Sequence, residues 1–111
     1  MEFTETTRDD YTVIVLRGRL DAHSALKFEQ SAVKLLDQGK RKVVVDLGEV
    51  DYINSKGLRA FLVLGKKLNQ THGKLGLCGV RKAVRFVFEV AGCDSLFNFF
   101  PSPDEAIKAL G

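Results

Sequence analysis

Asn54-Ser55-Lys56-Gly57 sets an amide, a hydroxyl, a cation and a bare backbone side by side, between an apolar run ending at Tyr52 and Ile53 and a strongly apolar stretch from Leu58. Two chemistries suit a hydroxyl in that place. Just ahead of a helix, the side chain of Asn54 or of Ser55 can accept a hydrogen bond from a first-turn N–H that has no backbone partner. A phosphate esterified to Ser55 would meet the same N–H groups and the positive end of the helix dipole. The fold can then carry the modification while a small neutral group becomes a doubly charged one. Gly57 falls in the first turn, where glycine costs about 1 kcal/mol against alanine, so its place there points to a close backbone approach. Asp21, in "RGRLDA", stands at a second strand-to-helix junction. Capping the first helix and sharing a surface with Ser55 are compatible roles for it.

Other reactive side chains form no constellation. Cys78 lies in the strand-like run "KLGLCG", where a buried reduced thiol is expected, and Cys93 follows Gly92 in a turn. Neither their spacing nor the isolated His23 and His72 describes a metal site. A catalytic serine would need a base held by an orienting acid, and neither histidine is placed to be one. No phosphate-cradling glycine loop is present. The expectation is a protein with no catalytic residues, no metal and no cofactor.

The chain's 111 residues, with 45% hydrophobic and 28% charged content, suit one soluble domain spanning 1–111. The net charge of +3 is spread over "GKRK" (39–42), "GKK" (65–67) and "RKAVR" (81–85), each mixed with apolar positions. These read as solvated helix and turn surfaces and not as a nucleic-acid footprint. The polar start "MEFTETTRDD" is unlike a signal peptide, and no apolar run approaches a membrane span. A cytoplasmic location is expected.

Periodicity supplies the elements that must position the junctions. "EFTETT" and "YTVIVLRGRL" read as a hairpin turned by "RDD", its second strand ending at Gly18. Asp21 opens a helix with Leu26, Val33 and Leu36 on one face, stopped by Gly39. "KVVVDL" (42–47) is a strand covered on both faces, and "GEVDY" reads as a turn. The helix after Ser55 carries Leu58, Phe61, Leu62, Gly65 and Leu68, with Val63 and Leu64 making it apolar almost all round. "KLGLCGV" is another strand, and "RKAVRFVFEVAG" a helix with Val84, Val87, Phe88 and Ala91 inward. "LFNFF" is a last strand, Phe86 and Phe88 read as core, and "SPDEAIKAL" is a helix capped by Ser102 with Pro103 first. The order β-β-α-β-α-β-α-β-α implies an α/β domain with a mixed, mostly parallel sheet of about five strands and about four helices.

With "LRGRLDA" (16–22) and "KVVVDLGEVDYINSKGLRAFL" (42–62) in place, the chain resembles a STAS domain, specifically the single-domain anti-sigma-factor antagonists of bacterial partner-switching systems. "LGLCGVRKAVRFVFEVAGCDSLF" (75–97) and "PSPDEAIKAL" (101–110) extend the likeness by pattern and length. The family carries Gly-x-Leu/Ile-Asp before its first helix and Asp-Ser-Ser/Thr-Gly-Leu at its second. The resemblance implies that Ser55 is the phosphoacceptor, with Asp21 the acidic residue near it. The kinase would be an anti-sigma factor of the histidine-kinase-like ATPase type, opposed by a metal-dependent serine phosphatase. Unmodified antagonist binds the kinase and makes it release its other client; phosphorylation ends the binding. The docking surface so implied comprises Asp21, Asn54, Ser55, Lys56, Gly57, Leu58 and Arg59, with no nucleic acid and no membrane insertion. Asn54 stands where the family usually has Asp, and Lys56 where it has Ser or Thr, which moves the junction two charge units toward positive. A preserved fold with an altered motif also fits a constitutive adaptor without phosphorylation, such as the accessory subunit of a lipid-transporting ATPase.

Overall fold

The computed structural model describes residues 2–111. Strand β1 (Glu2–Arg8) folds back on β2 (Tyr11–Leu20); α1 (Ala22–Asp37), β3 (Lys42–Ile53), α2 (Ser55–Gln70), β4 (Lys74–Cys78) and α3 (Lys82–Val90) follow. A short 3-10 turn (Asp94–Leu96) leads to β5 (Phe99–Phe100) and α4 (Pro103–Leu110). Strands lie in chain order β1-β2-β3-β4-β5. The first pair is antiparallel and the rest are parallel. This is the expected α/β order with its mixed five-stranded sheet.

Alternation along the strands divides the core. Val43, Val45 and Leu47 join Ile14, Leu16 and Leu77 under α1, α2 and α3. Val44 faces the other way with Tyr11, Val13 and Cys78, covered by Ala106 of α4. A strand with apolar side chains on both faces needs both covered, and a single short helix suffices for the second. Burial pushes the Cys78 thiol up to about 12, so it stays a neutral packing group, and both cysteines are free and buried. Among the described residues no helix is long and apolar enough to cross a membrane.

Several expectations are corrected. β2 does not end at Gly18 but runs to Leu20, and "GEVDY" is no turn but the second half of β3. The two extensions stabilise each other as a parallel pair through Arg17↔Glu49, Gly18↔Val50, Arg19↔Tyr52 and Leu20↔Ile53. Register shifts let them continue past Gly18, whose φ of 105° is open to glycine. Side chains cross-link the same stretch: Arg17 pairs with Glu49, and the Arg19 guanidinium lies 4.0 Å over the Tyr52 ring.

In α1 the inward stripe is Ala25, Phe28, Ala32, Leu35 and Leu36, while Leu26 is 56% exposed. The sequence carries two overlapping apolar stripes, and the bulkier one wins because Phe28 meets Phe61 of α2 with ring centroids 5.0 Å apart. That contact also covers α2, whose buried face takes in Ala60 and Leu64 while Leu62 and Gly65 are only half-buried. α3 buries Val84 and Phe88, leaving Ala91 outside and Phe86 63% exposed. "LFNFF" keeps two strand residues, its start turning into the 3-10 segment. The α4 start follows expectation, with the Ser102 hydroxyl accepting from the Glu105 N–H at 3.2 Å and Pro103 first.

Candidate functional site

Because β2 and β3 are parallel neighbours, their carboxyl ends emerge side by side, the arrangement in which open α/β sheets expose their working edge. Leu20 pairs with Ile53, and the Asn54 N–H donates to the Leu20 carbonyl at 3.2 Å. The two strand-to-helix junctions, Leu20-Asp21 and Ile53-Asn54, are therefore stitched to one another.

At the first junction Asp21 is the N-cap of α1. Its Oδ1 accepts from the Ser24 N–H at 3.1 Å, and the Asp21 N–H donates to the Ser24 hydroxyl at 3.0 Å. This reciprocal capping box satisfies donors that the helix leaves unpaired. The Ser24 backbone bond, then its hydroxyl, hold the Asp21 carboxyl below its ordinary value. Asp21 stays half-buried at the surface, so capping leaves it available to a partner.

At the second junction the amide and the hydroxyl separate. Asn54 is the cap: its Oδ1 accepts from the Lys56 and Gly57 N–H groups at 3.0 and 3.1 Å. Ser55 is the first helical residue and is exposed. An uncharged amide oxygen thus does locally what a carboxylate would do, so Asn54 keeps the backbone of the junction without the charge.

Gly57 explains itself sterically. A Cβ there would fall 2.7 Å from Ile53 Cγ1 and 3.0 Å from the Leu20 carbonyl oxygen. The glycine lets the α2 start press onto both strand ends, which fixes where Ser55 projects. Leu58, 8% exposed, packs beneath in the core. Gly57 and Leu58, included in the expected docking surface, are thus buried supports that shape it from below. Asp21 and Asn54 are half-buried, and Ser55, Lys56 and Arg59 exposed. Arg59, four residues after Ser55, stands on the same helix face one turn on.

A groove of about 360 Å³ runs beside this surface between α1 and α2, lined by Ala22, Ala25, Leu26, Glu29, Lys56 and Arg59. Leu26 is the residue that sequence reasoning missed here, having been assigned to the core stripe. Its signal was present: with Phe28 taken as the anchor, the inward positions become 25, 28, 32 and 35, and Leu26 is left over beside the serine junction. His23 is exposed on α1 and His72 lies in the turn beyond α2. Among the described residues no three His, Cys, Asp or Glu side chains are grouped to hold a metal.

Comparison with known proteins agrees with this architecture. The STAS domain family matches residues 2–106. A candidate anti-sigma factor antagonist of Bordetella bronchiseptica, BtrV, is 38% identical over 110 residues, covering 99% of this chain and 95% of that protein. The anti-sigma-B factor antagonist of Staphylococcus epidermidis is 30% identical over 92 residues, covering 83% of this chain and 85% of the relative. Among solved structures, SpoIIAA in its unphosphorylated form superposes with a TM-score of 0.84 at 22% identity, covering 98% and 96% of the two chains. The Bacillus SpoIIAA in its phosphorylated form does so at 0.77 and 20%, covering 99% and 100%. At these identities the structures speak for the fold, and the sequence relatives for the lineage. The chain belongs to the STAS domain family, among the anti-sigma factor antagonists.

Proposed function

We propose that this protein is an anti-sigma-factor antagonist whose switch is the Ser55 hydroxyl. Its partner on this reading is an anti-sigma factor that is also a serine kinase of the histidine-kinase-like ATPase type. A metal-dependent serine phosphatase restores the binding form. One observation carries the reading: Ser55 stands exposed at the first position of α2 while Asn54 makes the cap. A hydroxyl that the helix does not need can be esterified without rebuilding the junction. That the SpoIIAA fold has been solved both unphosphorylated and phosphorylated supports the compatibility.

The switching energy follows from desolvation. Phosphorylation places about two negative charges in the middle of the surface formed by Asp21, Asn54, Lys56 and Arg59. Within the free protein, Lys56 and Arg59 offset part of that charge at roughly 0–1 kcal/mol per exposed pair. Against a partner the phosphate must lose water without a matched counter-group, at a cost of several kcal/mol. With about 1.4 kcal/mol per tenfold in affinity, that exceeds a hundredfold and needs no large conformational change.

The test is a pulldown from the native host's lysate, followed by titration of the purified ATPase recovered. Wild type and Ser55→Ala should bind alike, and Ser55→Glu should lose at least about a hundredfold. Equal binding by Ser55→Ala and Ser55→Glu would sink the switch and leave a constitutive adaptor in its place.

A further inference from the structure

A cavity of about 680 Å³ opens along the carboxyl half of α2 and shares no residue with the groove beside Ser55. Its size lies within the range of about 300–1,000 Å³ typical of small-molecule sites. Leu62, Leu75 and Phe97 give it apolar walls, and Asn69, Ser95 and Asn98 add neutral polar side chains to the lining. Lys66 and Lys74 also line it, and no carboxylate side chain does. The Lys74 ammonium is engaged, donating to the Leu110 carbonyl at 2.5 Å. Lys66 is exposed and pairs with no carboxylate among the described residues.

Gly65 supplies an independent sign that the space is kept open. Inside a helix, alanine is favoured over glycine, so a glycine persists there for a reason. At Gly57 the reason is steric; at Gly65 it is not. A Cβ on Gly65 would meet Phe97 Cε1 at 3.5 Å and Leu75 Cδ2 at 3.8 Å, ordinary contact distances that require nothing to move. The fold accepts alanine at this position. What alanine would remove is room in the cavity.

We propose that this cavity is a binding site for a small carboxylate bearing an apolar tail. The tail lies against Leu62, Leu75 and Phe97, and the carboxylate sits at the mouth near Lys66. Apolar walls beside one free cation and no acid favour that combination: the tail covers the walls, which a bare anion would leave wet, and pairing with the exposed Lys66 adds a modest preference for a carboxylate over a neutral head.

Decanoate is the probe, titrated into the intact protein and followed by amide NMR, with acetate and decanol as controls. Decanoate should give saturable shifts centred on Gly65, Gly73 and Phe97, and acetate at equal concentration none. Lys66→Gln should weaken decanoate by about two- to fivefold, the size of one exposed ion pair, and leave decanol unchanged. Gly65→Leu should abolish the shifts. Should that variant not fold, Gly65→Ala serves instead: it should melt higher than wild type and bind decanoate more weakly. Shifts that fail to saturate or centre on another face overturn the site. So does a folded Gly65 variant that binds as wild type, or a Gly65→Ala that melts lower. Decanol binding as tightly as decanoate overturns the anionic part.

Discussion

The two strand-to-helix junctions share nearly every local feature and put their serines to opposite uses. Both follow parallel neighbouring strands, both have an extended cap residue, and both caps accept from first-turn N–H groups. At the first, Ser24 is 6% exposed and spends its hydroxyl inward: it donates to the Arg19 carbonyl at 2.5 Å and accepts from the Asp21 N–H. At the second, the cap is complete without a hydroxyl, and Ser55 faces solvent. A serine near a helix start is structural or modifiable according to whether its oxygen closes a hydrogen-bond circuit. Residue type and sequence neighbourhood do not decide this; position in the first turn does.

That comparison can be broken at its support first. Gly57→Ala drives a methyl into Ile53 and the Leu20 carbonyl, and overpacking of this kind costs about 1–3 kcal/mol. Urea denaturation should show that loss together with weakened partner binding, because the α2 start is displaced. Gly65→Ala in the same helix should show no such loss.

The serines themselves give the sharpest contrast. Ser24→Ala opens the capping box and strands the Arg19 carbonyl and the Asp21 N–H, a loss of about 1–2 kcal/mol. Ser55→Ala should change stability by less than about 0.5 kcal/mol, and on the proposed function Ser55→Glu should be the change that loses partner binding. Thermal melts of the two variants side by side check this; equal losses would mean that Ser55 is a structural residue after all.

The smallest effect is a pH dependence confined to the first junction. The Asp21 carboxyl titrates below its ordinary value of 3.8 because Ser24 hydrogen-bonds its charged form. A group whose folded-state pKa is depressed contributes stability that is present above the unfolded value and lost as pH falls through the folded one. Acid should therefore erode the α1 cap, and Asp21→Asn should flatten that part of the acid limb in denaturation midpoints. Asn54 does not titrate, so Asn54→Ala should shift stability by about 1 kcal/mol equally at every pH.

Much of this was legible in the residues. The hairpin turned by "RDD", the order of helices and parallel strands, the Ser102-Pro103 start of α4 and a polar cap at the Asn54-Ser55 junction rest on local rules: alternation, caps, turn residues and glycine stops. Each can be read within a window of a few residues because the physics that sets it acts over that window. The close approach at Gly57 was likewise foreshadowed, since a glycine that lowers helix propensity in a first turn points to crowding from outside.

Long-range packing settled the choices between local possibilities of similar merit. "GEVDY" has turn-like residues, yet it is strand because β2 extends alongside it and Arg17, Arg19, Glu49 and Tyr52 pair across the gap. α1 could have buried Leu26, yet the ring of Phe61 on another helix makes Phe28 the better anchor and leaves Leu26 in the groove beside Lys56 and Arg59. Asn54 and Ser55 were equal candidates for the cap until the position of β3 fixed which came first. The elements and their caps could be read from neighbouring residues, because they follow from short-range sterics and hydrogen bonding. Which side of each element faces its neighbours was decided by packing, because burial energy is set by partners that lie far away along the chain.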